Sequence, residues 1–160
     1  VPVAKEGDMS QSITDLLKPE NIQVFERVDS WQDAIRFSLA TLERNGYVEP
    51  RYADNIIKDT LKLGPYYVLT EDIALVHARP EEGAVKKQLA VTLIREPVIF
   101  SEDTFPVRIL FALAAEDNTS HIEAIQLLAS FCMDEERVAA VIKCARPEEI
   151  YAILIQDANQ

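Results

Sequence analysis

The sequence of 160 residues is poor in the residue types that build phosphate loops, disulfide frameworks and zinc sites. It has four glycines, two cysteines and two histidines. It contains no glycine-rich phosphate loop, no GxSxG motif and no HExxH motif. The longest purely apolar run, residues 109–115, is far shorter than a bilayer span. We therefore expect no disulfide, no metal site, no organic cofactor and no membrane-spanning segment.

Positive charge is also scarce. Sixteen Lys and Arg residues stand against 27 Asp and Glu residues, which gives a formal net charge of -11. Nucleic acids and anionic lipids bind through cationic surfaces, so this balance argues against both. It is compatible with a protein partner that presents a basic face. The N-terminus lacks the charged and then apolar pattern of a signal peptide, which favours a cytoplasmic location.

Helical periodicity at both ends of the chain encloses a central set of strand-like runs. Residues 1–11 are expected to form a flexible arm, and residues 12–160 one domain. A brief strand-like run at 22–25 comes first and is followed by predicted helices over 31–45 and 50–64. Helical periodicity returns from Ser120 onward. The central strand-like runs lie at 66–69, 73–76, 88–94, 97–100 and 107–114. The pattern predicts a single α/β domain with a mixed central sheet of about five strands flanked by helices, because several connections are too short for crossover helices.

His77 is the first candidate for chemistry. A neutral imidazole is a nucleophile at cellular pH, and the Arg79-Pro80 pair ends the strand-like run directly after it. The two-residue alternation places Ile73, Leu75 and His77 on one face of that strand. Arg79 could pair with an anion on the imidazole, and Glu71 could orient the ring by a hydrogen bond. The structural alternative is a half-buried strand residue beside a surface charge.

His121 is the second candidate. Ser120 and Glu123 have the spacing of a capping box, which places His121 in the first turn of a helix. Unpaired backbone N–H groups at that position favour an anion. If His77 and His121 are neighbours in space, the pair suits a phosphoryl group carried on an imidazole. The alternative is that His121 is an ordinary residue at a helix start.

The remaining reactive side chains are expected to be structural. Cys132 and Cys144 lie in apolar helical settings that are typical of small core residues. Tyr66 and Tyr67 are expected to pack inside the fold. None of these residues has a neighbour in the sequence that indicates a catalytic role.

The chain resembles the mannitol/fructose-type enzyme IIA of the bacterial sugar phosphotransferase system on three stretches: GPYYVLTEDIALVHARPEEG, VTLIREPVIF and LAAEDNTSHIEAIQLLASF. The likeness is nearest to the ascorbate-like branch and covers about residues 12–157. It implies that a histidine accepts a phosphoryl group from the carrier HPr and passes it to a cysteine of a IIB component, after which the membrane component IIC delivers the sugar. It assigns the phosphorylated histidine to His77 and the second active-site histidine to His121.

The sequence departs from the family pattern in two places. Val76 precedes His77 where the family usually has a proline, and residues 56–64 lack the arginine of the mannitol branch. Arg79 and Ser120 are therefore the expected phosphate-stabilising residues, and no metal is expected. Val76 also motivates a second hypothesis, a regulatory module that binds protein partners without passing phosphate to a transporter. A third hypothesis, a histidine hydrolase or metal-dependent enzyme, lacks further ligands.

Overall fold

A computed structural model describes residues 13–156, apart from the side chains at 13, 118, 120 and 121. The predicted N-terminal arm lies outside the described residues. The helices are α1 (Ile13–Leu16), α2 (Trp31–Arg44), α3 (Pro50–Leu63), α4 (Asn118–Met133), α5 (Glu135–Ile142) and α6 (Pro147–Leu154). The strands are β1 (Leu17–Phe25), β2 (Val68–Thr70), β3 (Asp72–Val76), β4 (Gln88–Val98) and β5 (Val107–Ala114).

A mixed sheet of five strands in the order β1-β4-β5-β3-β2 forms the middle layer of the fold. β1 pairs with β4, and β3 pairs with β5, in parallel. β4 and β5 are antiparallel, as are β2 and β3. The predicted fold class, an α/β domain with a mixed central sheet flanked by helices, is confirmed. No helix within residues 13–156 is long and apolar enough to cross a bilayer.

Alternate side chains of the central strands build two separate apolar layers. Ile73 and Leu75 face a core that includes Leu128 and Phe131 of α4. Ala74 and Val76 face the opposite core, which includes Tyr52 of α3. Successive residues of a strand point to opposite faces, so a strand covered by helices on both sides must be apolar throughout. β5 meets this condition at every residue except Arg108, which pairs with Asp72 at 3.0 Å, and the strand has the bounds that its largely apolar run predicts.

Local signals fix the ends of the two helices that cover the site-bearing side of the sheet. Ser30 caps α2 by accepting a hydrogen bond from the Asp33 amide at 3.1 Å. Pro50 occupies the first turn of α3, where its missing N–H is not needed. Gly64 ends α3 with a φ of 89°.

Two sequence predictions need correction. The run 97–100 does not form a strand of its own, because Pro97 and Val98 complete β4 and the chain then leaves the sheet. The helix that was expected to begin at Ser120 begins at Asn118. Ser120 therefore lies inside the first turn, whereas a capping residue stands outside the helix.

The carboxyl ends of β3 and β5 lie at one edge of the sheet, because the two strands are parallel and Val76 pairs with Ala112. His77 follows β3 directly. The chain after β5 leads within a few residues to α4, whose first turn contains His121. The topology thus brings the backbone segments that precede both histidines to the same edge.

Candidate active site

His77 lies in a surface groove of about 560 Å³ at the carboxyl end of β3. One wall is the last part of α3, with Asp59, Lys62 and Leu63. The other is formed by Tyr66 together with His77 and the two residues that follow it. The imidazole is half-buried, so it combines a fixed surrounding with access from solvent.

A hydrogen bond to the backbone fixes the tautomer of His77. Its Nδ1 atom lies 2.6 Å from the carbonyl oxygen of Leu75. A carbonyl oxygen can only accept, so Nδ1 carries the proton in this contact. In the neutral ring Nε2 is then the unprotonated nitrogen with a nucleophilic lone pair. The arrangement presents Nε2 as the atom that can attack an electrophile.

Tyr66 holds the His77 segment from the groove side. Its hydroxyl donates a hydrogen bond to the carbonyl oxygen of His77 at 2.9 Å. Its ring meets the imidazole edge to face, with the ring centroids 5.7 Å apart and an interplanar angle of 86°. Burial raises the pKa of the Tyr66 phenol above its ordinary value, so the hydroxyl keeps its proton at neutral pH. Tyr66 packs against Tyr67 and His77 as expected, and in addition its hydroxyl holds the backbone of His77, whereas Tyr67 is fully buried.

Tyr52 holds the same segment from inside the fold. Its hydroxyl accepts the amide proton of Ala78 at 3.0 Å and donates to the carbonyl oxygen of Leu113 at 2.8 Å. Burial raises the pKa of this phenol far above its ordinary value. The residue before the histidine, Val76, is also fully buried. The backbone on the two sides of His77 is therefore held by packing at Val76 and by a hydrogen bond at Ala78.

Two cationic side chains border the groove. Arg79 is largely exposed, and its guanidinium lies 3.6 Å from Glu81 and 3.5 Å from Glu82. Lys62 reaches the groove from the last turn of α3. Lys62 lies in the stretch 56–64 that lacks the arginine of the mannitol branch, and the sequence pattern alone does not indicate a role for it.

Two expectations about His77 are not met. Glu71 lies in the turn that precedes β3, at the opposite end of that strand from His77, and it lines a different cavity. The ring is oriented by Leu75 instead of Glu71. The alternation that groups His77 with Ile73 ends at Val76, and His77 shares its groove with α3 rather than with the helices on the Ile73 side.

His121 and Ser120 lie in the first turn of α4, as the backbone shows. Their side chains lie outside the described residues, so their predicted contacts with an anion stay predictions. The backbone shows that α4 begins four residues after β5 ends, at the edge of the sheet where His77 lies.

The two cysteines are structural in their surroundings. Cys144 is buried, and Cys132 is half-buried and lines the cavity that also contains Glu71. Burial raises the pKa of both thiols, which disfavours the reactive thiolate. Among the described residues, no group of three or more His, Cys, Asp or Glu side chains is placed to hold a metal ion.

Comparison with known proteins gives relatives over nearly the whole chain. The mannitol-specific cryptic phosphotransferase enzyme IIA component of Escherichia coli K12 is 33% identical over 142 residues, which are 89% of this chain and 97% of the relative. The ascorbate-specific phosphotransferase EIIA component of Shigella boydii is 33% identical over 141 residues, or 87% and 92% of the two chains.

Solved structures give the same result. A solution structure of the mannitol-specific cryptic enzyme IIA from Escherichia coli matches with a TM-score of 0.84 at 33% identity and covers 90% of this chain and 98% of that one. The IIA chain in a complex of mannitol enzyme IIA with phosphorylated enzyme IIB from Escherichia coli matches with a TM-score of 0.76 at 28% identity, over 90% and 98% of the chains.

The sequence profile described as "Phosphoenolpyruvate-dependent sugar phosphotransferase system, EIIA 2" matches residues 15–157. This span contains His77 and His121 with the whole sheet between β1 and β5. The profile match and the relatives agree with the resemblance that the sequence stretches indicate. The chain therefore belongs to the EIIA 2 family of the phosphoenolpyruvate-dependent sugar phosphotransferase system.

Proposed function

We propose that this chain is a cytoplasmic phosphocarrier in which His77 accepts a phosphoryl group from HPr and passes it to a cysteine of a IIB component for sugar uptake. The observation that carries the proposal is the 2.6 Å contact between Nδ1 of His77 and the carbonyl oxygen of Leu75. It holds the proton on Nδ1 and leaves the lone pair on Nε2 of a histidine that lines the groove.

The transfer uses this tautomer directly. The Nε2 lone pair of His77 attacks the phosphorus of the donor phosphohistidine in line, a new N–P bond forms, and the donor's N–P bond breaks with its electron pair returning to the donor ring. Such transition states are loose, so the protein contributes alignment and charge stabilisation. The phosphorylated ring keeps its proton on Nδ1, and the bond to Leu75 gains strength as positive charge develops on the ring.

Charge stabilisation of the phosphoryl oxygens is proposed for Arg79 and Lys62. Both border the groove that contains His77. The guanidinium of Arg79 is held at 3.5–3.6 Å by two exposed or part-exposed carboxylates, contacts that are too long and too solvated to be strong. A phosphoryl group can therefore take over the guanidinium at small cost. The same role is proposed for Ser120 and His121 from the sequence pattern.

Protein partners can reach this site. Leu63 is 70% exposed and Tyr66 is 44% exposed, and both border the same groove. Exposed apolar side chains beside a polar reactive group are typical of a surface that contacts another protein. The mannitol enzyme IIA that matches this fold is solved in complex with phosphorylated IIB, which supports IIB as the acceptor here. The membrane component IIC is then an indirect partner.

The test is phosphate transfer with purified components. The chain is incubated with enzyme I, HPr and phosphoenolpyruvate, and incorporated phosphate is measured before and after mild acid. We expect one acid-labile phosphoryl group in the wild type and none in His77→Gln. Phosphate retained by folded His77→Gln would overturn the assignment to His77.

Two further arms sharpen the test. Arg79→Gln should slow phosphorylation, whereas Arg51→Gln should not, because Arg51 is an exposed arginine that pairs with Glu49 and does not line the groove. Transfer from the phosphorylated chain to a purified IIB component separates the carrier from the regulatory module. A module that only binds partners passes no phosphate to IIB, and that result would reject the carrier function.

A further inference from the structure

The hydroxyl of Tyr52 connects two strand ends that are far apart in the sequence. Tyr52 is the third residue of α3 and is fully buried. Its hydroxyl contacts Ala78, 26 residues away, and Leu113, 61 residues away. Ala78 directly follows His77, and Leu113 is the penultimate residue of β5. One side-chain atom thus joins the two segments of the proposed site.

The Tyr52 hydroxyl can both donate and accept, and it thereby pairs with one amide and one carbonyl group at the ends of β3 and β5. A phenol has one proton to donate and lone pairs to accept. The amide of Ala78 donates to it at 3.0 Å, and its own proton goes to the carbonyl of Leu113 at 2.8 Å, with the carbonyl of Ala78 farther away at 3.3 Å. The last paired residues of β3 and β5 are Val76 and Ala112. The phenol therefore continues the link between the strands after their ladder ends.

Other residues at the start of α3 also hold the chain that follows His77. The Asn55 side chain donates to the carbonyl of Glu82 at 2.9 Å, and the Glu49 amide donates to the carbonyl of Gly83 at 2.8 Å. Gly83 also packs against the backbone of Tyr52. Segment 78–83 is consequently fixed to α3 at both ends, with Arg79 between the fixed points.

We propose that Tyr52 is a positioning residue for phosphotransfer, whose hydroxyl sets the spacing between the strand end that carries His77 and the strand end that leads to the helix of His121. The inference rests on the proposed function and adds a residue that touches neither phosphate nor partner. A phosphoryl group held between groups from both segments needs their spacing fixed before it arrives. When reacting groups are displaced by about 1 Å from such a pre-set geometry, the reaction rate can fall strongly.

The chain offers a matched control for removal of this hydroxyl. Tyr67 is also fully buried, and its hydroxyl lies 2.6 Å from that of Thr60. Tyr67→Phe removes a buried phenol hydrogen bond without touching Ala78 or Leu113. Both variants remove the hydroxyl of a fully buried tyrosine, but only Tyr52→Phe removes the hydrogen bonds to the two strand ends.

The experiment measures phosphorylation of full-length wild type, Tyr52→Phe and Tyr67→Phe by phospho-HPr. We expect the saturating rate of Tyr52→Phe to fall by about tenfold or more, with the half-saturating HPr concentration unchanged, because docking is not altered. Tyr67→Phe should retain the wild-type rate. The NMR signals of the His77 ring should shift in Tyr52→Phe and stay in place in Tyr67→Phe.

Equal rates in the two folded variants would overturn the inference. A rise only in the half-saturating HPr concentration would overturn it too, because it would indicate a docking effect. Where a melting curve shows Tyr52→Phe partly unfolded, the rates of all three proteins are compared in sucrose, which favours the folded state. Failure of the proposed function is a separate outcome, since the wild type itself would then take up no phosphate.

Discussion

Gly83 provides the sharpest test of how the segment after His77 is held. Its φ is +133°, a conformation that side-chain-bearing residues rarely adopt. A Cβ atom added there would lie 3.2 Å from the Cβ and N atoms of Tyr52 and 3.3 Å from its Cα atom. Those atoms belong to the first turn of α3 and cannot rotate away. Gly83→Ala should therefore force segment 78–83 and α3 apart.

The loss of folding stability in Gly83→Ala has two sources, backbone strain and steric crowding, and Gly46→Ala serves as a control that has the strain alone. Gly46 also has a positive φ, +82°, but a Cβ atom there would meet nothing within 4 Å. Gly46→Ala should cost only the backbone term, about 1 to 2 kcal/mol. Gly83→Ala adds crowding to strain, for a total of about 3 to 5 kcal/mol. The difference of about 1 to 4 kcal/mol corresponds, for a domain of this size, to a melting temperature lower by about 2 to 16 °C.

The assay is thermal unfolding of the wild type and both variants, followed by phosphorylation at a temperature where all three are folded. Gly83→Ala should unfold well below Gly46→Ala and should also be phosphorylated more slowly, because the displaced backbone carries Ala78 and Arg79. Equal melting temperatures for the two variants would refute the close approach to Tyr52. Equal phosphorylation rates would refute the link between that approach and the site.

Two smaller perturbations test single contacts. Tyr66→Phe keeps the ring beside His77 but removes its hydrogen bond, so unfolding should become easier by about 0.5 to 1.5 kcal/mol, measured by thermal melting; an unchanged melting curve would contradict the contact. Hydrogen bonds from the amides of Ala145 and Arg146 lower the pKa of Glu149 below its ordinary 4.5. The ionised carboxylate therefore stabilises the fold above that pH, and the benefit disappears as the pH falls through the lowered value. Urea unfolding should show the wild type more stable than Glu149→Gln at pH 7 and the difference shrinking toward pH 3, whereas a difference that grows in acid would contradict the assignment.

The sequence was sufficient for those parts of the fold that depend on local pattern. The apolar run of β5 and the capped ends of α2 and α3 follow from periodicity, proline and glycine, and the structure confirms them. His77 could be predicted as a site residue because Arg79 and Pro80 mark the end of a strand directly after it. The sequence pattern predicts a separate strand at 97–100 because proline often starts a new element, but Pro97 lies near the end of β4.

The parts that could not be predicted depend on contacts between distant segments. Tyr52 meets Leu113 across 61 residues, and no local pattern indicates that contact. Tyr66 stands beside a second, fully buried tyrosine, and composition alone does not show which of the two faces the groove. Glu71 was misplaced because the whole of β3 lies between Glu71 and His77, and an extended strand carries its two ends apart.

His77 presents Nε2 because the carbonyl oxygen of Leu75 holds the proton on Nδ1. Nitrogen-15 NMR of histidine-labelled protein, recorded before and after phosphorylation by phospho-HPr, tests it most directly. We expect Nδ1 of His77 to be protonated in the unmodified protein and the phosphoryl group to be bound to Nε2 after transfer. A phosphoryl group on Nδ1 of His77, or on His121 with the His77 ring unchanged, would contradict it.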